Sequence, residues 1–117
     1  MKNKEATNME IAISKLYEER IGLVAGVATT KVSYYVTTDK LVEAKRALEE
    51  YEATAKDDNL QYNKGTAKDL KRTLEQVELE ASRQKKQIEA YMLRIGIIED
   101  VKKQFEKNKF EDVATIE

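Results

Sequence analysis

A chain of 117 residues suits one domain, and its 21 basic and 22 acidic side chains nearly cancel. No long-range field therefore steers it toward a polyanion or an anionic membrane. Cys and His are both absent, which excludes disulfides, thiolate and imidazole ligands, Cys nucleophiles and the commonest general base.

Charged residues make up 37% of the chain and proline is missing, which is how long helices and coiled coils read. The first residues are polar and no apolar stretch with a small-residue cleavage site follows them. With no Cys, the expected setting is the cytoplasm, or the inside of a virion if the chain is of phage origin.

In chain order, Thr7-Asn8-Met9-Glu10 has capping-box spacing, a hydroxyl followed three residues on by a carboxylate, so a helix is expected from about residue 8. A heptad pattern runs on from Ile13. One set of seam positions is Ile13, Arg20, Val27, Tyr34, Leu41 and Leu48. The other is Leu16, Leu23, Thr30, Thr37, Ala44 and Tyr51. Alternating steps of three and four put both sets on one stripe.

Within this arm, residues 21–38 (IGLVAGVATTKVSYYVTT) form a belt whose only charge is Lys31. Lys31 with the Ser, Thr and Tyr residues makes it too polar for a membrane span. Residues 29–38 crowd β-branched and aromatic side chains, whose local preference is for a strand. A continuous helix is expected there, with a break at Thr38-Asp39 or a short β-ribbon as alternatives.

The pattern stops at Lys56-Asp57-Asp58-Asn59, and a loop is expected over about 56–65. Thr66-Ala67-Lys68-Asp69, after Gly65, looks like a new N-cap with a carboxylate in the first turn. A second stripe follows: Leu70, Leu74, Val77, Ala81, Gln84, Ile88, Tyr91, Ile95, Ile98, Lys102 and Phe105. It contains a second low-charge belt, residues 88–98 (IEAYMLRIGII). Helix is expected over about 66–108 and a loose tail over 109–117.

The belts mirror each other about Asn59. Folded there, facing residues have numbers summing to about 118 at ~1.5 Å of rise per residue, and arms of about 40 residues would reach ~60 Å. Leu48 then opposes Leu70, Thr37 opposes Ala81, Val27 opposes Tyr91, Leu23 opposes Ile95 and Arg20 opposes Ile98. The fold expected is all-α: a single domain built as a long antiparallel two-helix coiled-coil hairpin, packing into an oligomeric bundle. A broken first helix, or a short third helix formed by residues 101–113 turning back, are its variants.

No constellation of side chains carries catalysis, cofactor binding or metal ligation, so no catalytic, cofactor or metal residue is assigned and no enzyme is expected. Three features bear on function. First, the belts are apolar beyond the seam, at Val24, Val32, Tyr35 and Val36 on one arm and Met92, Leu93 and Ile97 on the other. A helix apolar on several sides is normally covered on several sides. With the seam residues Leu23, Val27 and Ile98, these are the expected oligomer or partner interface. Second, Gly22 and Gly26 lie one turn apart, and Gly96 falls at the matching level of the other arm. Glycine costs ~1 kcal/mol in a helix relative to alanine, so close helix packing is expected at these three positions, with a kink as the alternative.

Third, the tip carries Asp57, Asp58, Asn59 and Tyr62. The run Asp58-Asn59-Leu60-Gln61-Tyr62 resembles the acidic-Asn-x-x-Tyr tip of bacterial transcript-cleavage factors, which insert a coiled-coil hairpin into the secondary channel of RNA polymerase. The resemblance covers the tip alone; that family's globular second domain has no counterpart here. A solvated turn accounts for the same residues. The basic clusters Arg83/Lys85/Lys86 and Lys102/Lys103/Lys107/Lys109 are diluted by acids, as on a solvated face, so no nucleic-acid partner is expected.

The function expected is therefore structural: an oligomerising coiled-coil subunit, scaffold or adaptor, of the kind found in phage and bacterial assemblies. Its partner is another copy or another protein, not a membrane or a small molecule. The alternative is a helical-hairpin regulator or co-chaperone that inserts its acidic tip or apolar end into a larger machine such as RNA polymerase. A secreted helical-hairpin protein with a Trp-x-Gly turn is a weaker match, because Trp is absent.

Overall fold

In the computed structural model the chain forms two helices, α1 (Lys2–Asp57) and α2 (Lys64–Ile116). The backbone is described for residues 2–57 and 63–116, and side chains for 8–54 and 63–107. Among these residues there is no strand, and the architecture is an all-α antiparallel helical hairpin. Neither helix contains a stretch long and apolar enough to cross a membrane among the described residues.

The strand-prone stretch 29–38 is helical throughout. Its threonines show why that is affordable. The Thr37 hydroxyl donates to the Ser33 carbonyl at 2.9 Å and the Thr38 hydroxyl to the Tyr35 carbonyl at 2.8 Å. Each hydroxyl is thus satisfied by the helix's own backbone instead of competing with it. The remaining β-branched penalty is a few tenths of a kcal/mol per residue, ~0.5 at most, which seam burial offsets.

Helix ends depart from expectation in three places. α1 already runs from Lys2, so Thr7-Asn8-Met9-Glu10 lies inside it and cannot cap. A capping box permits a start but does not force one, and the preceding Lys, Glu and Ala are good helix formers. α2 starts at Lys64 with Asn63 as its cap, not Thr66. The Asn63 Oδ1 accepts from the backbone N–H of Gly65 at 2.8 Å and of Thr66 at 3.4 Å, and the Ala67 N–H donates to the Asn63 carbonyl at 3.0 Å. α2 then continues without a break to Ile116. Neither a loose tail over 109–116 nor a third helix turning back after Val101 forms, because no proline, and no glycine beyond Gly96, interrupts that stretch.

Packing gathers into two units, one made of Met1–Ala28 with Ile88–Glu117 and one of Thr29–Gln87. In the first, Ile98 is 1% exposed and Ile88 is also buried. Around them Ile13, Leu16, Leu23, Val27, Tyr91, Ile95 and Phe105 are half-buried, as the heptads require. Arg20 occupies a seam position by reaching across: its Nε and Nη2 donate to Glu99 Oε1 at 3.3 and 2.9 Å. Lys102 is exposed rather than in the seam, with its ammonium 5.2 Å from the centre of the Tyr17 ring, a cation–π contact.

In the second unit Thr37 and Ala81, expected to oppose each other, are both buried, as is Ala67. Tyr34, Leu41, Ala44, Leu48, Leu70, Leu74 and Val77 are half-buried beside them. Where α1 ends and α2 begins, the Tyr51 phenol accepts from the Asn63 N–H at 2.7 Å and donates to the Asn63 carbonyl at 3.2 Å. One side chain thereby ties the end of one helix to the cap of the next.

Candidate interaction surface

Every described α1 residue assigned to the seam is buried or half-buried. What the seam leaves over is the surface of interest. Among the described residues, four hydrophobic side chains are buried and thirteen large ones are exposed. Scattered exposed apolar residues are ordinary, but contiguous ones are not.

In the unit built from 1–28 and 88–117, Ile21 and Leu93 are 68% and 69% exposed, and Val24, Met92 and Ile97 are exposed beside them. Leu23 and Val27 are half-buried in the seam. A cleft of about 340 Å³ lies between the helices here, lined by Val24, Val27, Met92, Ile95, Gly96 and Glu99. Ile98 is corrected as an interface residue: at 1% exposure it belongs to the intramolecular core, one position from Ile97, which faces out. That one-residue step turns a helix by roughly 100°.

Within the hairpin the close packing expected at the glycines is not found at two of them: a Cβ on Gly22 or Gly96 would meet nothing within 4 Å of this chain. Only Gly26 has a near neighbour: its Cβ would lie 3.3 Å from Cε2 of the Tyr91 ring. That contact is with a side chain, not with a facing backbone.

Two ion pairs close on this unit. Arg94 Nε donates to Glu19 Oε1 at 2.8 Å and Nη2 to Oε2 at 3.1 Å. The fork of hydrogen bonds from Arg94 holds the Glu19 carboxyl below its ordinary value, and the same contact raises Arg94. With Arg20–Glu99, two ion pairs sit on this unit without drawing on an outside partner.

In the unit 29–87, Val32 and Tyr35 are 64% and 63% exposed, with Val36, Val42 and Leu79 exposed too. The Tyr34 and Tyr35 rings are tilted at 53° with centroids 6.3 Å apart. A second cleft, of about 280 Å³, is lined by Val32, Ser33, Val36, Thr37, Lys40, Glu80 and Gln84. Gln84 Oε1 is buried and lacks a donor. Sequence reasoning placed Gln84 in the seam but gave no hint of this orphaned acceptor, since donor geometry leaves no trace in spacing.

Among the described residues no group of three or more Asp, Glu, His or Cys side chains gathers to hold a metal ion. The tip residues Asp58, Asn59 and Tyr62, and the side chain of Asp57, lie outside the described residues. Compared with known protein families, with curated proteins and with solved structures, the chain matches none.

Proposed function

We propose that this chain is a non-enzymatic architectural protein, a helical-hairpin subunit or adaptor that assembles through the apolar side chains its own seam leaves uncovered. The carrying observation is that thirteen large apolar residues among those described are exposed, whereas Ile88 and Ile98 alone of that size are fully buried among them. Covering one of the exposed side chains recovers about 1–2 kcal/mol. Association costs roughly 4–15 kcal/mol in lost freedom, so one such residue achieves nothing and several on one face are required. Each unit supplies several.

Light scattering on the purified chain at tens of micromolar tests this. A stable multimer is expected, with a stoichiometry that survives added salt, because apolar burial is not screened. A monomer that binds no apolar dye would sink the proposal. A holdase gripping non-native clients would use the same exposed residues; suppression of client aggregation by a strictly monomeric chain would favour that reading instead.

A further inference from the structure

We propose that α1 carries a second coiled-coil seam on its outer side, and that a second copy of this chain docks there with its own α1 running antiparallel; this rests on the assembly proposed above. Ile21, Ala25, Ala28, Val32, Tyr35 and Asp39 follow one another at alternating steps of four and three, the spacing that keeps side chains on one stripe of a helix. α1 is continuous through all of them, and all are exposed. At roughly 100° per residue the stripe lies about 150° round α1 from the seam that meets α2.

The side of a helix that faces water normally carries charge. Here it carries none from Ile21 to Tyr35, and the belt's single charge, Lys31, lies off the stripe. Beyond the run the same positions hold Glu18 on one side and Val42, Arg46 and Glu49 on the other, so charge returns where the belt ends. The period says what kind of object covers the run. A flat surface or an irregular loop asks only for an apolar side, whereas a repeat of 3.5 residues is what a facing helix requires.

The order of sizes along the run says which helix that is. About a two-fold axis through its middle, Ala28 of each copy faces Val32 of the other, Ala25 faces Tyr35 and Ile21 faces Asp39. Each of the inner layers then sets a small side chain against a large one, which fills the interface evenly. The two Asp39 carboxylates fall at its ends, within reach of water. Slid by one heptad in one direction, Ala25 would face Ala28 and leave a gap. Slid in the other, Val32 would face Tyr35 and Asp39 would face Ala28, crowding one layer and burying a charge in the next. Parallel pairing would stack alanine on alanine, Tyr35 on Tyr35 and Asp39 on Asp39, the last against like-charge repulsion. The run is complementary to itself in one arrangement, with both copies presenting the same residues, as a closed two-fold interface requires.

The chain has no cysteine, so disulfide trapping in the full chain reads this arrangement directly. Ala25→Cys and Tyr35→Cys, refolded together in equal amounts and oxidised, should give a cross-linked dimer. Each variant alone should give none, because like positions of the antiparallel pair stand roughly 15 Å apart along the axis, beyond the reach of a disulfide. Ile21→Cys refolded with Asp39→Cys leaves Ala25 and Tyr35 in place and should behave the same way. Ala28→Glu should weaken self-association on the order of ten-fold or more by sedimentation equilibrium. Its far-UV circular dichroism should match the wild type, since Ala28 is exposed in the single hairpin. Cross-linking of Ala25→Cys or Tyr35→Cys alone would overturn the antiparallel pairing. So would a wild-type multimer in which neither mixture cross-links, while leaving assembly itself standing. A monomeric wild type would overturn both.

Discussion

At the scale of single residues, the contact with the clearest consequence is the phenol of Tyr51. It accepts one hydrogen bond from the Asn63 backbone and donates another to it, while Asn63 caps α2 through its own side chain. Tyr51→Phe keeps the ring and removes both bonds. It is expected to lower stability by about 1 kcal/mol, read as a drop in the urea midpoint with an unchanged slope. An unchanged midpoint would mean that water replaces the phenol at no cost. Tyr51 was legible in the sequence as a seam position, because alternating steps of three and four mark it. Its tie to Asn63 was not, since Asn63 and Thr66 are both good caps and spacing does not choose between them. The orphaned oxygen of Gln84 was hidden for a related reason: polarity at a seam position says nothing about whether a donor stands opposite.

At the scale of elements, the heptads made the facing stripe readable almost to the residue. The reason is that burial repeats with the helix itself, and α1 has no proline to break the phase. The glycines were misread because sequence places them on a helix but does not show what stands across from them. Gly22 faces open space and Gly26 faces the Tyr91 ring, which separates two substitutions of identical chemistry. Gly22→Ala should stabilise the helix by about 1 kcal/mol, the ordinary gain in propensity. Gly26→Ala should gain clearly less, because the Tyr91 ring must yield by a few tenths of an ångström. Paired thermal melts decide it; equal gains would show that the ring moves freely.

At the scale of the whole molecule, four buried hydrophobic side chains among the described residues make a thin core for a chain of 117 residues. Under the proposed assembly, binding of further copies to the folded state would add stability by mass action. The melting midpoint is then expected to rise with protein concentration, and a midpoint constant across a hundred-fold dilution series would contradict assembly. The hairpin and its two belts were visible in the charge pattern. Which apolar residues remain outside was only partly so: Ile97 and Ile98 differ by one position, and only the packed seam decides which is covered.

The helical state of 29–38 has a further consequence. As bare text, TTKVSYYVTT combines strand-forming side chains with one charge and no proline, the makings of a cross-β segment. In α1 its backbone donors and acceptors pair within the helix, and the hydroxyls of Thr37 and Thr38 donate to the carbonyls of Ser33 and Tyr35 in the preceding turn. The helix is thus also a safeguard against aggregation. Substitutions that melt α1 there are expected to free this segment for cross-β pairing, read as fibril formation by amyloid-dye fluorescence.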